Sequence, residues 1–193
     1  MSKIYTKKGD LGETGFYTGE RVKKNDLRIE ALGSVDELNS LVGLVAATVS
    51  GEDPLHVEIK SILEQLQHDL FTIGAELTML SDTKNEYKTP KITEQHIQDV
   101  ERIIDEIQER LPEQKSFILP GGTPLSAWLN FARTVTRRAE RTIVTLSEAR
   151  PINEQLLKYL NRVSDLFHIL ARYANKEVKE QQPIYKYFEY TKP

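Results

Sequence analysis

No cysteine occurs among the 193 residues, which removes disulfides, thiolate nucleophiles and sulfur-ligated metals from consideration and suits a reducing compartment. Nor is there any run of about 18 apolar residues, the length that a membrane-spanning helix requires. The opening Met1-Ser2-Lys3-Ile4-Tyr5 lacks the apolar stretch of a secretory signal, so the expectation is a soluble, cytoplasmic chain. A basic excess is missing too. Lys and Arg number 26 against 29 Asp and Glu, a net charge of -3, and such a chain has no overall attraction for a phosphate polymer. Histidine is scarce, and a di-iron carboxylate bundle wants Glu-x-x-His on two helices. Only Asp165-x-x-His168 comes near that pattern, while His56, His68 and His96 read as surface or packing residues.

What the chain does have is helical periodicity, over a length that suits one domain. Leu32, Val35, Leu38, Val42, Val45 and Val49 mark a first helix from about Leu27 to Val49. A second follows Pro54, with Ile59, Leu63, Leu66, Leu70, Ile73, Leu77 and Leu80 at steps of four and three. Residues Ser81 to Lys91 are polar and unpatterned and read as a mobile surface loop. Thr93 caps a third helix that runs to Pro112, with Ile92 and Ile97 spaced as a hydrophobic staple. Thr123 and Pro124 open a fourth, and Asn153 caps a fifth. No stretch reads as a sheet. The pattern predicts an all-α fold, an antiparallel five-helix bundle in a single domain. Its parts are an N-terminal glycine-rich loop (1–26), the bundle (27–180) and an aromatic tail (181–193).

The fourth helix carries the charge. Arg133, Arg137 and Arg141 share one face with Glu140 beside them, and Arg138 lies one row over. Trp128, Phe131, Ala132, Val135, Ala139, Ile143 and Leu146 form the opposite, apolar face. So many guanidinium groups call for acidic neighbours or an anionic ligand, and in an acidic chain the ligand reading points to a small polyanion. The first helix has a second row, Asp36, Ser40, Gly43 and Ala47, whose small residues suit close approach of another helix. It predicts self-association, against the alternative of a central helix in a monomer.

Before the first helix lies Thr6-Lys7-Lys8-Gly9-Asp10-Leu11-Gly12-Glu13-Thr14-Gly15, with Lys23 and Lys24 further on. Glycines let backbone N–H groups converge, and lysine and threonine add charge and donors, which is the chemistry of phosphate binding. The common Gly-Lys-Ser/Thr P-loop is absent, so a plain turn stays open as the alternative.

These segments resemble one family. Lys3 to Asp10 with Gly12 and Thr14, Tyr17 to Arg21, Gly33-Ser34-Val35-Asp36-Glu37-Leu38-Asn39, Phe117 to Gly122, Ala132 to Arg141 and Tyr159 to Asp165 look like the PduO-type cob(I)alamin adenosyltransferases, in order and over nearly the whole chain. Gly15 and Thr136 stand where relatives often have other small residues.

The resemblance implies transfer of the 5'-deoxyadenosyl group of ATP to Co(I) of reduced cobalamin, with release of triphosphate. It implies a homotrimeric bundle with sites between subunits, and a cobalamin reductase and an adenosylcobalamin-dependent enzyme as candidate partners, with no nucleic acid and no membrane. ATP contacts are implied for Thr6, Lys7, Lys8, Gly9, Thr14, Gly15 and Lys24. Arg137, Arg138, Ala139, Glu140, Arg141 and Asn161 would meet ATP from across a subunit boundary. Glu140 would help to place Mg²⁺, directly or through water. Asp36 would pair with Arg133 on the corrinoid side, and Phe117 would take the lower face of the corrin, so that Arg137, Arg133, Asp36 and Phe117 form the catalytic set. Ile184 to Tyr190 either folds over the corrinoid or packs on the bundle. A non-catalytic trimer that carries or senses adenosylcobalamin is the alternative function. Nucleic-acid binding by the arginine helix is a third reading, and the net acidity speaks against it.

Overall fold

The computed structural model describes residues 4–80, 89–114 and 117–176. Five helices make up almost all of its regular structure. α1 spans Leu27–Thr48, and its cap Asp26 accepts from the Arg28 backbone N–H at 2.8 Å. α2 spans Pro54–Thr78, with Asp53 accepting from Leu55 and His56 and proline in the first turn, where its missing N–H costs nothing. α3 spans Glu94–Gln108, and its cap residue Thr93 donates its N–H to His96 Nδ1 at 3.2 Å. Ile92 and Ile97 are both buried at that entry, as a staple requires. α4 spans Pro124–Ala149 from a Thr123 cap, and α5 spans Gln155–Tyr173, its first N–H held by Asn153 Oδ1 at 3.1 Å.

α3 stops short of the expected boundary at Pro112. The stripe continues through Leu111, but residues 109–111 form a turn closed by Arg110 N–H to Ile107 and Leu111 N–H to Gln108. A residue before proline avoids the helical region, which shortens the helix from its C-terminal end.

α1 packs between α2 and α4, and α5 between α4 and α3. The core holds most of the stripes read from the sequence, including Leu38, Ile59, Leu63, Ile73, Ile143, Leu160 and Phe167, all fully buried, and adds Leu129, which that reading leaves out. Truncating one such leucine to alanine costs about 2–5 kcal/mol. Two polar knots cross the bundle. The Tyr159 hydroxyl donates to Asp69 at 2.6 Å, and Gln65 donates to the other oxygen at 3.0 Å. Burial and the Asp69 charge push the Tyr159 phenol well above its ordinary range, so it stays a donor. Glu76 accepts from the Ile92 N–H at 2.5 Å and from Asn153 at 3.0 Å, which ties the end of α2 to the entries of α3 and α5.

Three expectations are corrected. Residues 13–23 form a small antiparallel hairpin, β1 (Glu13–Gly15) and β2 (Arg21–Lys23), with Thr14 opposite Val22. Three-residue strands are too short to leave a period-two signal. Phe131, placed on the apolar face of α4, is 49% exposed. Gly43, placed in a row free for another subunit, faces α2. A Cβ there would lie 2.9 Å from Gln67 Nε2, the atom that donates to the Asn39 carbonyl at 3.3 Å. Asp36, Ser40 and Ala47 of that row are exposed. Most of the 81–91 loop and the whole 181–193 tail lie outside the described residues.

Candidate active site

The N-terminal segment folds back on itself before the bundle begins. Asp10 N–H bonds to the Lys7 carbonyl and Gly12 N–H to that of Gly9, and Gly12 takes φ 82, a conformation that glycine adopts without strain. Lys7 takes φ 58 with a full side chain, which costs about 1–2 kcal/mol, and such outliers gather where a loop presents its backbone to a ligand. Thr6, Lys7 and Lys8 are exposed, and Thr6 Oγ1 accepts from Lys8 N–H at 3.5 Å. Arg21 holds the Lys8 carbonyl at 2.8 Å, and the Lys24 backbone N–H bonds to Gly12 at 2.8 Å. The Lys24 amine lies close over Gly9, 3.4 Å from where a Cβ would stand. Gly15 closes β1 on the exposed side.

Beneath this loop runs a groove of about 1100 Å³ between α1 and α2. Thr14, Tyr17 and Lys24 form its loop end, and Asp36 is the carboxylate along its wall. Asn39 adds an amide, and most of the rest is apolar or small: Ile29, Leu32 and Gly33 from α1, Phe71, Gly74 and Ala75 from α2. The sequence reading puts Leu32 in the core stripe and Asp36 in the small-residue row, and misses the rest of this wall. Its signal is a second helical face, Ile29/Leu32/Gly33/Asp36 on α1 and Phe71/Gly74/Ala75/Thr78 on α2, each at steps of three, one and three.

The arginine face of α4 lies elsewhere in the chain. Arg133 is half-buried, and Arg137, Arg138 and Arg141 are exposed. Arg138 pairs with Glu37 of α1 at 2.5 Å, and Arg141 donates to the Arg137 carbonyl at 3.1 Å. Among the described residues no carboxylate pairs with Arg133, Arg137 or Arg141. Ala139 is fully buried in the core stripe, so its side chain takes no part in a surface site. Glu140 accepts from Asn161 at 3.3 Å, Asn161 accepts from Arg162 at 2.9 Å, and Arg162 is held by Glu101 of α3 at 2.7 Å. That relay orients a half-buried carboxylate beside the arginines. Asp36 and Arg133 are not joined within the chain, and none of the α4 arginines lines the groove.

Phe117 stands on the connector between α3 and α4 with 82% of its surface exposed. α5 holds both ends of that connector. Arg172 donates to the Pro112 carbonyl at 2.6 Å and His168 meets Gln114 at 3.2 Å. Asn175, just beyond the helix, accepts from Thr123 N–H at 2.9 Å and donates to Gly121 at 3.1 Å. Burial, with Arg133 and Arg172 adding to it, holds the His168 imidazole below its ordinary value and so neutral.

Residues 4–174 match the model of the family described as cobalamin adenosyltransferase. The chain belongs to the cobalamin adenosyltransferase family. It is 43% identical over 173 residues to the corrinoid adenosyltransferase of Bacillus subtilis (strain 168), covering 90% of this chain and 86% of that one. With the corrinoid adenosyltransferase of Mycobacterium leprae (strain TN) it shares 46% over 180 residues, 91% of this chain and 92% of the relative. Among solved structures it resembles a variant of the PduO-type ATP:corrinoid adenosyltransferase from Lactobacillus reuteri complexed with cobalamin and ATP. The TM-score is 0.85 at 41% identity, over 97% of both chains. As a cobalamin adenosyltransferase, this chain carries the loop, the groove and the arginine helix inside the matched span. No helix among the described residues is long and apolar enough to cross a membrane.

Proposed function

We propose that this cobalamin adenosyltransferase moves the 5'-deoxyadenosyl group of ATP to the cobalt of reduced cobalamin. The family match over residues 4–174 carries that reading. In the reaction the Co(I) lone pair forms a Co–C5' bond, the bond from C5' to the triphosphate oxygen breaks, and triphosphate leaves with the electron pair. No proton is transferred, so no general base is needed. The protein must orient two substrates, stabilise the leaving charge and keep water out.

The residues divide that work. Thr6, Lys7, Lys8, Gly9, Thr14, Gly15 and Lys24 offer donors and positive charge to the phosphates from the loop end of the groove. Arg137 and Arg141, with no carboxylate partner among the described residues, offset the growing negative charge of triphosphate, assisted by Arg138. Asn161 adds a hydrogen bond at the ribose or phosphate end. Because the two halves stand on separate parts of the chain, the site is completed by a second copy, and a homotrimer closes three such sites. In that assembly Arg133 of one protomer meets Asp36 of the next and fixes the corrinoid side of the groove. Phe117 then covers the lower face of the corrin, displaces the dimethylbenzimidazole base and makes Co(II) easier to reduce.

Glu140 suits a divalent cation in one way. It is a single half-buried carboxylate held by Asn161, and Mg²⁺ bound with substrate phosphates takes one or two carboxylates. Bound there, Mg²⁺ would neutralise part of the triphosphate charge. Residues 1–26 form the ATP-binding part, 27–180 the bundle and 181–193 the tail, in a cytoplasmic enzyme that takes its substrate from a cobalamin reductase and serves an adenosylcobalamin-dependent enzyme.

The test is stoichiometric and positional. One triphosphate per cobalamin alkylated is expected, and mixed trimers of Asp36→Ala with Arg137→Ala should turn over faster at limiting cob(I)alamin than either variant alone. Triphosphate release without alkylation would overturn the reaction, and a mixture no more active than the sum of its components would overturn the shared site.

A further inference from the structure

Arg28 is the anomaly of this molecule. It sits in the first turn of α1, where the helix dipole disfavours a cation, yet only 1% of its side chain is exposed. Burying a guanidinium is tolerable only where its donors are met by anions in good geometry. Here they are. Nη1 and Nη2 form a fork on Glu20 at 2.9 and 2.7 Å, Nε reaches Asp26 at 3.3 Å, and Nη1 also reaches the Leu80 carbonyl at 3.3 Å. The guanidinium lies over the Phe16 ring, 4.5 Å from its centre. Glu20 answers with a carboxyl held below its usual range, first by the Arg28 hydrogen bonds.

These partners belong to three separate pieces of chain. Phe16 and Glu20 are in the turn between β1 and β2, Asp26 is the cap of α1, and Leu80 ends the run after α2. Phe16 is the buried residue of the hairpin. Of the loop-end residues of the groove, Thr14 lies on β1 and Lys24 directly follows β2, and Asp36 stands two turns further along α1 from Arg28.

We infer that Arg28 is the positioning residue of the nucleotide loop: through Glu20 and Phe16 it docks the 13–23 hairpin on α1 and α2, and so sets Thr14 and Lys24 against the groove. This rests on the reading of that loop as the ATP site. Arg28 is too buried to touch a phosphate, and its charge is answered by Glu20 and Asp26, so its effect on ATP is one of placement. Lysine would keep the charge and lose the fork. Glutamine at position 20 would keep the shape and lose the charge, on a side chain 30% exposed at the surface of the hairpin.

The experiment compares wild type, Arg28→Lys, Glu20→Gln and the double variant. ATP binding is measured by calorimetry, steady-state kinetics start from chemically reduced cob(I)alamin, and hydrogen exchange follows the 13–23 amides. The expected result is a rise in KM for ATP of about tenfold or more in each single variant, with KM for cob(I)alamin within twofold. The 13–23 amides should exchange faster, and the double variant should be little worse than either single one. Should Arg28→Lys fail to fold, Glu20→Gln alone carries the same expectation. A lower Tm with KM for ATP unchanged in Glu20→Gln would overturn the inference and leave Arg28 a packing residue. Wild-type protein that binds no ATP would overturn the nucleotide reading and this inference with it.

Discussion

Arg138 on α4 reaches Glu37 on α1 at 2.5 Å, one residue along from Asp36. The pair clips the arginine helix to the helix that lines the groove, and it separates two adjacent arginines by role. Arg138 has an acidic partner inside the chain, while the charge of Arg137 meets none among the described residues.

Arg137→Ala should therefore abolish measurable turnover with the oligomeric state unchanged, a loss of 100-fold or more, as when one positioned donor is taken from a developing anion. Arg138→Ala should cost less than tenfold, because its charge is already shared with Glu37. Steady-state rates from cob(I)alamin, with size-exclusion profiles of both variants, check the ordering. Equal losses would mean that both arginines act on the triphosphate alike.

Phe117→Ala should chiefly impair the stage from Co(II) to Co(I). With a reductase and cob(II)alamin the rate should fall by 10-fold or more, while chemically reduced cob(I)alamin should react within a few-fold of wild type. Normal turnover from cob(II)alamin would remove the base-displacing role given to this exposed ring.

Asp36→Ala should raise KM for the corrinoid more than KM for ATP. Asp36 lines the groove from α1, whereas Thr14 and Lys24 line it from the N-terminal loop. An effect confined to ATP would refute the corrinoid assignment.

A pH dependence follows from His168. Its folded pKa lies below the ordinary value of about 6.5 because the ring is buried and faces Arg133 and Arg172, with Asp165 opposing them. On acidification the unfolded chain takes up its proton first. Stability is thus unaffected above about 6.5 and declines as the pH falls from there toward the lower folded value. Urea midpoints at pH 7.5 and 5.5 should differ less in His168→Gln, which can still bond Gln114, than in wild type. Identical differences would show that His168 carries no such coupling.

The five helices were legible because each apolar stripe keeps the helical period, and Thr93, Thr123 and Asn153 mark three of the starts; the caps Asp26 and Asp53 emerged only with the structure. The arginine row was legible from residue type and spacing. The groove was not: Leu32 reads as part of the core stripe of α1, Phe71 lies off the stripe of α2, and only the packing of α1 on α2 brings the two together. Gly43 misled for the opposite reason. A small residue opens space equally for a neighbour in the chain and for one in another subunit, and the Gln67 amide fills it from within.

The most direct test mixes the purified protein anaerobically with chemically reduced cob(I)alamin, ATP and Mg²⁺ and follows the Co(I) absorbance. Its loss is expected with wild type and its persistence with Arg137→Ala, and light should convert the wild-type product back to a cobalamin without its alkyl group. Unchanged Co(I) with wild type, together with tight binding of ready-made adenosylcobalamin, would contradict it and identify a carrier.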